Sequence, residues 1–150
     1  MKDRAAASAP FDFPAPHVIE LSVQPGDIDA YDHVNNAVYL TWLDRAAWSH
    51  SAALGIPLER CLGMRRGMAA LRTEIEFVRA ALAGDRLQVA TWIADSDGRL
   101  RVGRRFQVVR PADGATLARA RTEYVCINLD SGRAVRMPPE FARFYMATAG

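Results

Sequence analysis

A chain of 150 residues, half of them hydrophobic, can bury the core of one domain. Its 19 basic and 17 acidic residues leave a net charge of +2, too even to point to a nucleic-acid partner. It has no apolar run of the ~18 residues that a membrane-spanning helix needs, so no membrane partner is expected.

Residues 1–16 are rich in Ala and Pro, with Pro10, Pro14 and Pro16, and read as a flexible N-terminal segment ahead of a domain over 17–150. Lys2 and Arg4 are followed by Ala5 to Ala9 and not by the apolar stretch of a secretory signal, which makes a cytoplasmic location the expectation. A first strand is predicted from His17 to Val23, closed by Pro25-Gly26. Asp27-Ile28-Asp29-Ala30-Tyr31-Asp32-His33-Val34-Asn35-Asn36 then packs three carboxylates, one imidazole and two amides into a loop. A helix is predicted directly after it, from Ala37 to about Leu54, with Tyr39, Leu43, Ala46, Ala47, His50 and Leu54 at helical spacing. Val38, Leu40 and Trp42 widen its apolar face, as in a helix largely wrapped by other structure. Asn35 or Asn36 suits the N-cap, and Gly55-Ile56-Pro57 the stop.

An irregular link is expected from Pro57 to Gly67. The pattern then turns to period two. Met68 to Arg79 sets Leu71, Thr73, Ile75 and Phe77 against Arg72, Glu74 and Glu76. Leu87, Val89, Thr91 and Ile93 mark a further strand after Gly84-Asp85, and Leu100, Val102, Phe106 and Val108 another after the Asp95-Ser96-Asp97-Gly98 turn. Pro111-Ala112-Asp113-Gly114 precedes a long strand over Leu117 to Leu129, and Pro138-Pro139-Glu140 opens a short helix. One long helix against an antiparallel sheet of about five strands is an α+β arrangement. Such a sheet leaves edges to cover, and a dimer joining sheets edge to edge is the expectation.

The Asp27–Tyr39 loop is where chemistry is expected. A carboxylate beside a helix start can attack an acyl group or activate water, while free N–H groups of the first turn hold a developing oxyanion. The competing reading of Asp29 is an Asx-turn or a helix cap, and that of His33 and Asn35 is polar groups satisfied within a tight turn. Asp27, Asp29 and Asp32 do not make a calcium loop. An EF-hand beginning at Asp27 would place Tyr31, Asp32 and Val38 where it requires an oxygen ligand, Gly and Glu. His17, His33 and His50 are isolated, Cys61 and Cys126 have no metal spacing, and no metal or other cofactor is expected. The cysteines read as small buried hydrophobes. No G-x-S-x-G elbow and no nucleotide-binding glycine motif is present.

Asp27-Ile28-Asp29 followed by His33-Val34-Asn35-Asn36-Ala37-Val38-Tyr39-Leu40 resembles the signature of hotdog-fold acyl-CoA thioesterases of the 4-hydroxybenzoyl-CoA thioesterase type. Glu74-Ile75-Glu76-Phe77 with Ala80 to Leu87, and Leu117 to Thr122 with Ser131-Gly132-Arg133 and Pro138 to Phe141, are similar to later segments of that family. The resemblance implies a hotdog fold, a long central helix wrapped by an antiparallel sheet. It also implies hydrolysis of an acyl-CoA substrate in a homodimer or homotetramer. On that resemblance the catalytic carboxylate maps to Asp29 and the oxyanion N–H to Asn36, with His33 and Asn35 positioning the loop. Asp44 on the helix is the backup carboxylate, against a structural ion pair with Arg45, Arg72 or a partner subunit. Arg99, Arg101 and Arg133 are candidates for the CoA phosphates, because Arg forks grip phosphate. Taken singly, these and Arg104, Arg105 and Arg136 read as solvated charges on strand faces or ends. Relatives often carry Gly before the His, where this chain has Asp32. The rival readings are an acyl-carrier-protein thioesterase and a non-catalytic acyl-CoA-binding protein.

Overall fold

The apolar spacing over Tyr39–Leu54 becomes a helix of 19 residues, Asn36–Leu54 (α1), in a computed structural model that describes residues 10–147. Asn35 caps it by accepting the Ala37 N–H through its side chain at 2.9 Å. Gly55 stops it in the left-handed region at φ 105°, where its N–H reaches back to the Ser51 and Ala52 carbonyls. Ahead of α1 lie a strand, His17–Ser22 (β1), and one 3-10 turn, Pro25–Asp27.

The expected irregular link after α1 is instead a short helix, Leu58–Met64 (α2). Its apolar residues Leu58, Cys61 and Met64 follow a three-residue spacing with Cys61 buried, a periodicity too brief to read through Gly63. Arg65, left-handed at φ 52°, ends it. Four strands follow: Arg66–Phe77 (β2), Arg86–Ser96 (β3), Arg101–Arg110 (β4) and Ala115–Asn128 (β5). The C-terminal helix is Pro139–Phe144 (α3). The sheet is antiparallel throughout and ordered β1-β3-β4-β5-β2, so β1 and β2 form its edges.

The sheet curls around α1 as a hotdog fold. Tyr39, Trp42, Leu43, Ala46 and Ala47 pack against Leu87 and Val89 of β3, Phe106 and Val108 of β4, and Leu117 and Ala118 of β5. A second apolar cluster gathers Ile56, Cys61, Ile93, Val102, Cys126 and Phe141 at the far end of the helix. Burial pushes the Cys126 thiol up to about 11, which suits its reading as a hydrophobe.

Two expectations change. The β2–β5 register slips between Ala70 and Arg72, so the predicted inward set breaks at Leu71, which is exposed. The wrapping of α1 is also incomplete. Leu40 and Trp48, four residues to either side of Asp44, are 50 % and 48 % exposed.

Residues 1–9 of the expected flexible segment lie outside the described residues. Residues 10–16 are held against the outer face of the sheet. The rings of Phe11 and Phe13 meet Trp92 edge-on at 6.4 and 5.5 Å. Gln107 accepts from the Asp12 N–H and donates to the Pro10 carbonyl, and Asp12 pairs with Arg119 at 2.7 Å. Two aromatic anchors and one ion pair override the Ala/Pro composition there.

Candidate active site

The Asp27–Asn35 loop folds as a miniature hairpin before it enters α1. Ile28 and Val34 form an antiparallel bridge, the Asp29 N–H donates to the His33 carbonyl at 2.8 Å, and the Asn35 N–H donates to the Asp27 carbonyl at 2.8 Å. The hairpin is fastened to the β2–β3 connection at buried Ala81. The Ala81 carbonyl accepts from the Val34 N–H at 3.1 Å, and its N–H donates to the Tyr39 hydroxyl at 3.0 Å. Asp29 is thereby held opposite His33 in the hairpin that leads into α1.

Asp29 is half-buried. Its Oδ1 accepts the Tyr31 N–H at 2.9 Å in an Asx-turn, while Oδ2 makes no hydrogen bond among the described residues. The two sequence readings of Asp29 are thus compatible: one oxygen shapes the turn and the other is left over. In the first turn of α1, the Ala37 N–H is taken by the Asn35 side chain and the Val38 N–H by the Asn35 carbonyl. The Asn36 N–H has no acceptor among the described residues. Asn35 acts as the helix cap, and His33 is exposed. Asp32 is left-handed at φ 62° and exposed, a backbone position that favours Gly.

The other candidates lie elsewhere. Asp44, eight residues past Asn36, sits about 12 Å further along the helix axis. It makes no ion pair among the described residues, so the expected partnership with Arg45 or Arg72 is not formed in this chain. It faces a groove between α1 and the sheet that also touches Ala37, Thr41, Thr122 and Tyr124. Arg99, Arg101 and Arg133 are exposed at the opposite end of the sheet from Asp29, separated by the length of β3, about 33 Å. Within one chain they do not join the Asp29 site.

Arg104 departs most from the sequence reading. Grouped with the solvated arginines, it is instead buried, 3 % exposed. Its Nη1 donates to His50 Nδ1 at 2.7 Å and its Nη2 to Ser51 Oγ at 2.9 Å. A guanidinium only donates, so His50 accepts through Nδ1 and is the neutral tautomer protonated on Nε2. Burial, then the Arg104 charge, pulls the His50 pKa down to about 4. His17 stacks on His50 with ring centroids 5.0 Å apart, and Ser51 Oγ also meets the Tyr145 hydroxyl at 2.8 Å. The signal was present in the strand: Val102, Phe106 and Val108 point inward at period two, and Arg104 shares their parity.

Comparison with known proteins agrees with this architecture. The thioesterase-like superfamily matches residues 23–144. The chain belongs to that superfamily. Within it, the chain is 24 % identical over 121 residues to the long-chain acyl-CoA thioesterase FadM of Escherichia coli K12, covering 81 % of this chain and 90 % of that one. Among solved structures, a 1,4-dihydroxy-2-naphthoyl-CoA thioesterase from Synechocystis superposes with a TM-score of 0.78 at 22 % identity, over 87 % of this chain and 96 % of that chain. A Staphylococcus aureus protein in complex with CoA superposes at 0.82 with 17 % identity, over 91 % and 87 %. This member of the superfamily is a thioester hydrolase with the hotdog fold of those neighbours.

Proposed function

We propose that this thioesterase hydrolyses an acyl-CoA thioester to a carboxylic acid and free CoA, with Asp29 as the working carboxylate and the Asn36 N–H as an oxyanion donor. The observation that carries the reading is two groups without hydrogen-bond partners among the described residues, Asp29 Oδ2 and the Asn36 N–H, one in the hairpin that leads into α1 and one at the helix start. The positive end of the α1 dipole adds to the pull on a carbonyl oxygen held there. As general base, Asp29 takes a proton from water as the water oxygen bonds to the thioester carbon. The C–S bond then breaks and the CoA thiolate leaves, taking up a proton from solvent. As nucleophile, Asp29 forms the new C–O bond itself and water hydrolyses the resulting anhydride. The thiolate is a fair leaving group, so one carboxylate and one oxyanion site suffice in either course.

A second copy completes the picture. The exposed Leu40 and Trp48 stripe lies beside β2, a free sheet edge that carries exposed Leu71. Two copies joined antiparallel through β2 would cover that stripe. They would also turn the partner's far end, with its own arginine set, toward this chain's Asp29. Arg99, Arg101 and Arg133 thus serve CoA only across copies.

Thiol release from a panel of short, long and aromatic acyl-CoAs tests the reading. Asp29→Asn should lower turnover by about 100- to 10,000-fold, the range of a lost general base. Wild-type turnover in that variant would overturn it.

A further inference from the structure

Arg104 holds a buried charge that hydrolysis at Asp29 does not use. Its partners His50 and Ser51 are neutral acceptors, and it makes no ion pair among the described residues. The Tyr124 and Tyr145 rings lie 5.9 Å from the guanidinium carbon, and the Tyr124 hydroxyl is a further neutral acceptor, but neither residue supplies a counter-charge. Burying a cation without an anion is strongly unfavourable. The nearby C-terminal half of α1 offsets part of that through its dipole, but a half-charge spread over a helix end does not balance a guanidinium.

The same side chain lines a cavity of about 110 Å³, room for several water-sized groups. The other walls are largely apolar, with Ala47, Met68 and Val102 among them. This cavity adjoins the groove that begins at Ala37, next to Asn36, and the two share Asp44, Ala70 and Tyr124 as walls. The path therefore runs along α1 from the proposed reacting carbonyl to the guanidinium. Asp44 and Ser51 bracket the cavity on the helix, about 12 and 22 Å from Asn36. Asp44 lines the same cavity but is exposed, and water weakens the reach of its charge. His50, Ser51 and the Tyr124 hydroxyl engage three of the five guanidinium N–H groups, leaving donors for a further acceptor.

We propose that Arg104 is the counter-ion for a carboxylate at the far end of the acyl chain, so that the enzyme selects ω-carboxyacyl thioesters over methyl-ended ones. This rests on the thioesterase reading above and adds the substrate class to it. The apolar groove takes the methylenes and the guanidinium takes the terminal charge.

The full-length chain is assayed for thiol release with paired CoA thioesters, one methyl-ended and one ω-carboxylated, over chains of about eight to about sixteen carbons that span the path to Arg104. At the best length, kcat/KM should favour the ω-carboxylated member by about tenfold or more, the effect of a charge-assisted hydrogen bond. Arg104→Met should abolish or reverse that preference while retaining turnover of the methyl-ended thioester, and Arg104→Lys should keep part of it. Equal or poorer use of the ω-carboxylated thioesters by the wild type at every length overturns the proposal and leaves the thioesterase reading standing. This arm stands even where Arg104→Met does not fold. Release of thiol from neither member overturns the thioesterase reading instead. Calorimetric titration with the free α,ω-dicarboxylates and their matched monocarboxylates then decides on Arg104. Tighter binding of the dicarboxylate that is lost in Arg104→Met and kept in part in Arg104→Lys supports it, and equal binding overturns it.

Discussion

Asp32 stands where the backbone asks for glycine. Its φ of 62° places it in the left-handed region, which Asp and Asn tolerate better than other side chains but still at some strain. Asp32→Gly should raise stability by up to about 1 kcal/mol in urea denaturation and leave thiol release unchanged. A fall in turnover would show that its carboxylate takes part in the chemistry. Asn35→Ala removes the side chain that caps α1 at Ala37, and should lower stability by about 1 kcal/mol. Asn35 and the stop at Gly55 were legible in the sequence because caps and left-handed residues are chosen by local backbone geometry. Arg104 was not. Its charge argued for the surface, its strand parity for the interior, and only the packing of His50 and Ser51 around it decides which signal wins.

At the scale of elements, the junction of β1, α1 and β4 carries a pH dependence. His50 from α1 faces Arg104 from β4 and His17 from β1, and the Tyr124 and Tyr145 rings lie 5.9 Å from the same guanidinium. Its folded pKa of about 4 lies below the ordinary 6.5. As pH falls through 6.5 the unfolded chain takes up a proton that the folded chain refuses, so stability declines from there and levels off near pH 4. Tm measured from pH 7 to pH 4 should fall, and His50→Gln should flatten that slope. A different turn is tied by Asp97, whose Oδ1 accepts the Arg99, Leu100 and Arg101 N–H groups and whose pKa is held down to about 2 by them. Sequence showed this turn, and the strands on either side, by period and punctuation. It missed α2 and the bulge at Leu71. About two turns of periodicity are too short to read, and a bulge changes strand parity without changing composition.

For the whole molecule, the order of strand, long helix and four strands was legible from periodicity, as was the hotdog wrapping through the family resemblance. The strap over the outer face was not, since Phe11 and Phe13 stand among residues that favour open chain. Phe13→Ala should destabilise the fold by about 1–3 kcal/mol, the value of burying one large apolar side chain, and should alter the emission of Trp92, whose indole N–H donates to the Pro14 carbonyl at 3.0 Å. Denaturant titration followed by fluorescence measures both. The layer of His17, His50, Ser51, Arg104 and Tyr145 has one more effect. It partitions the interior, with Tyr39, Leu43 and Val108 on one side and Ile56, Cys61 and Phe141 on the other. Apolar contact is interrupted there, and the two compartments can open separately. Native-state amide exchange should resolve two families of opening free energies, with the Ile56 and Phe141 end releasing its protons first, because short α2 and α3 can peel away while the strands around Val108 stay paired.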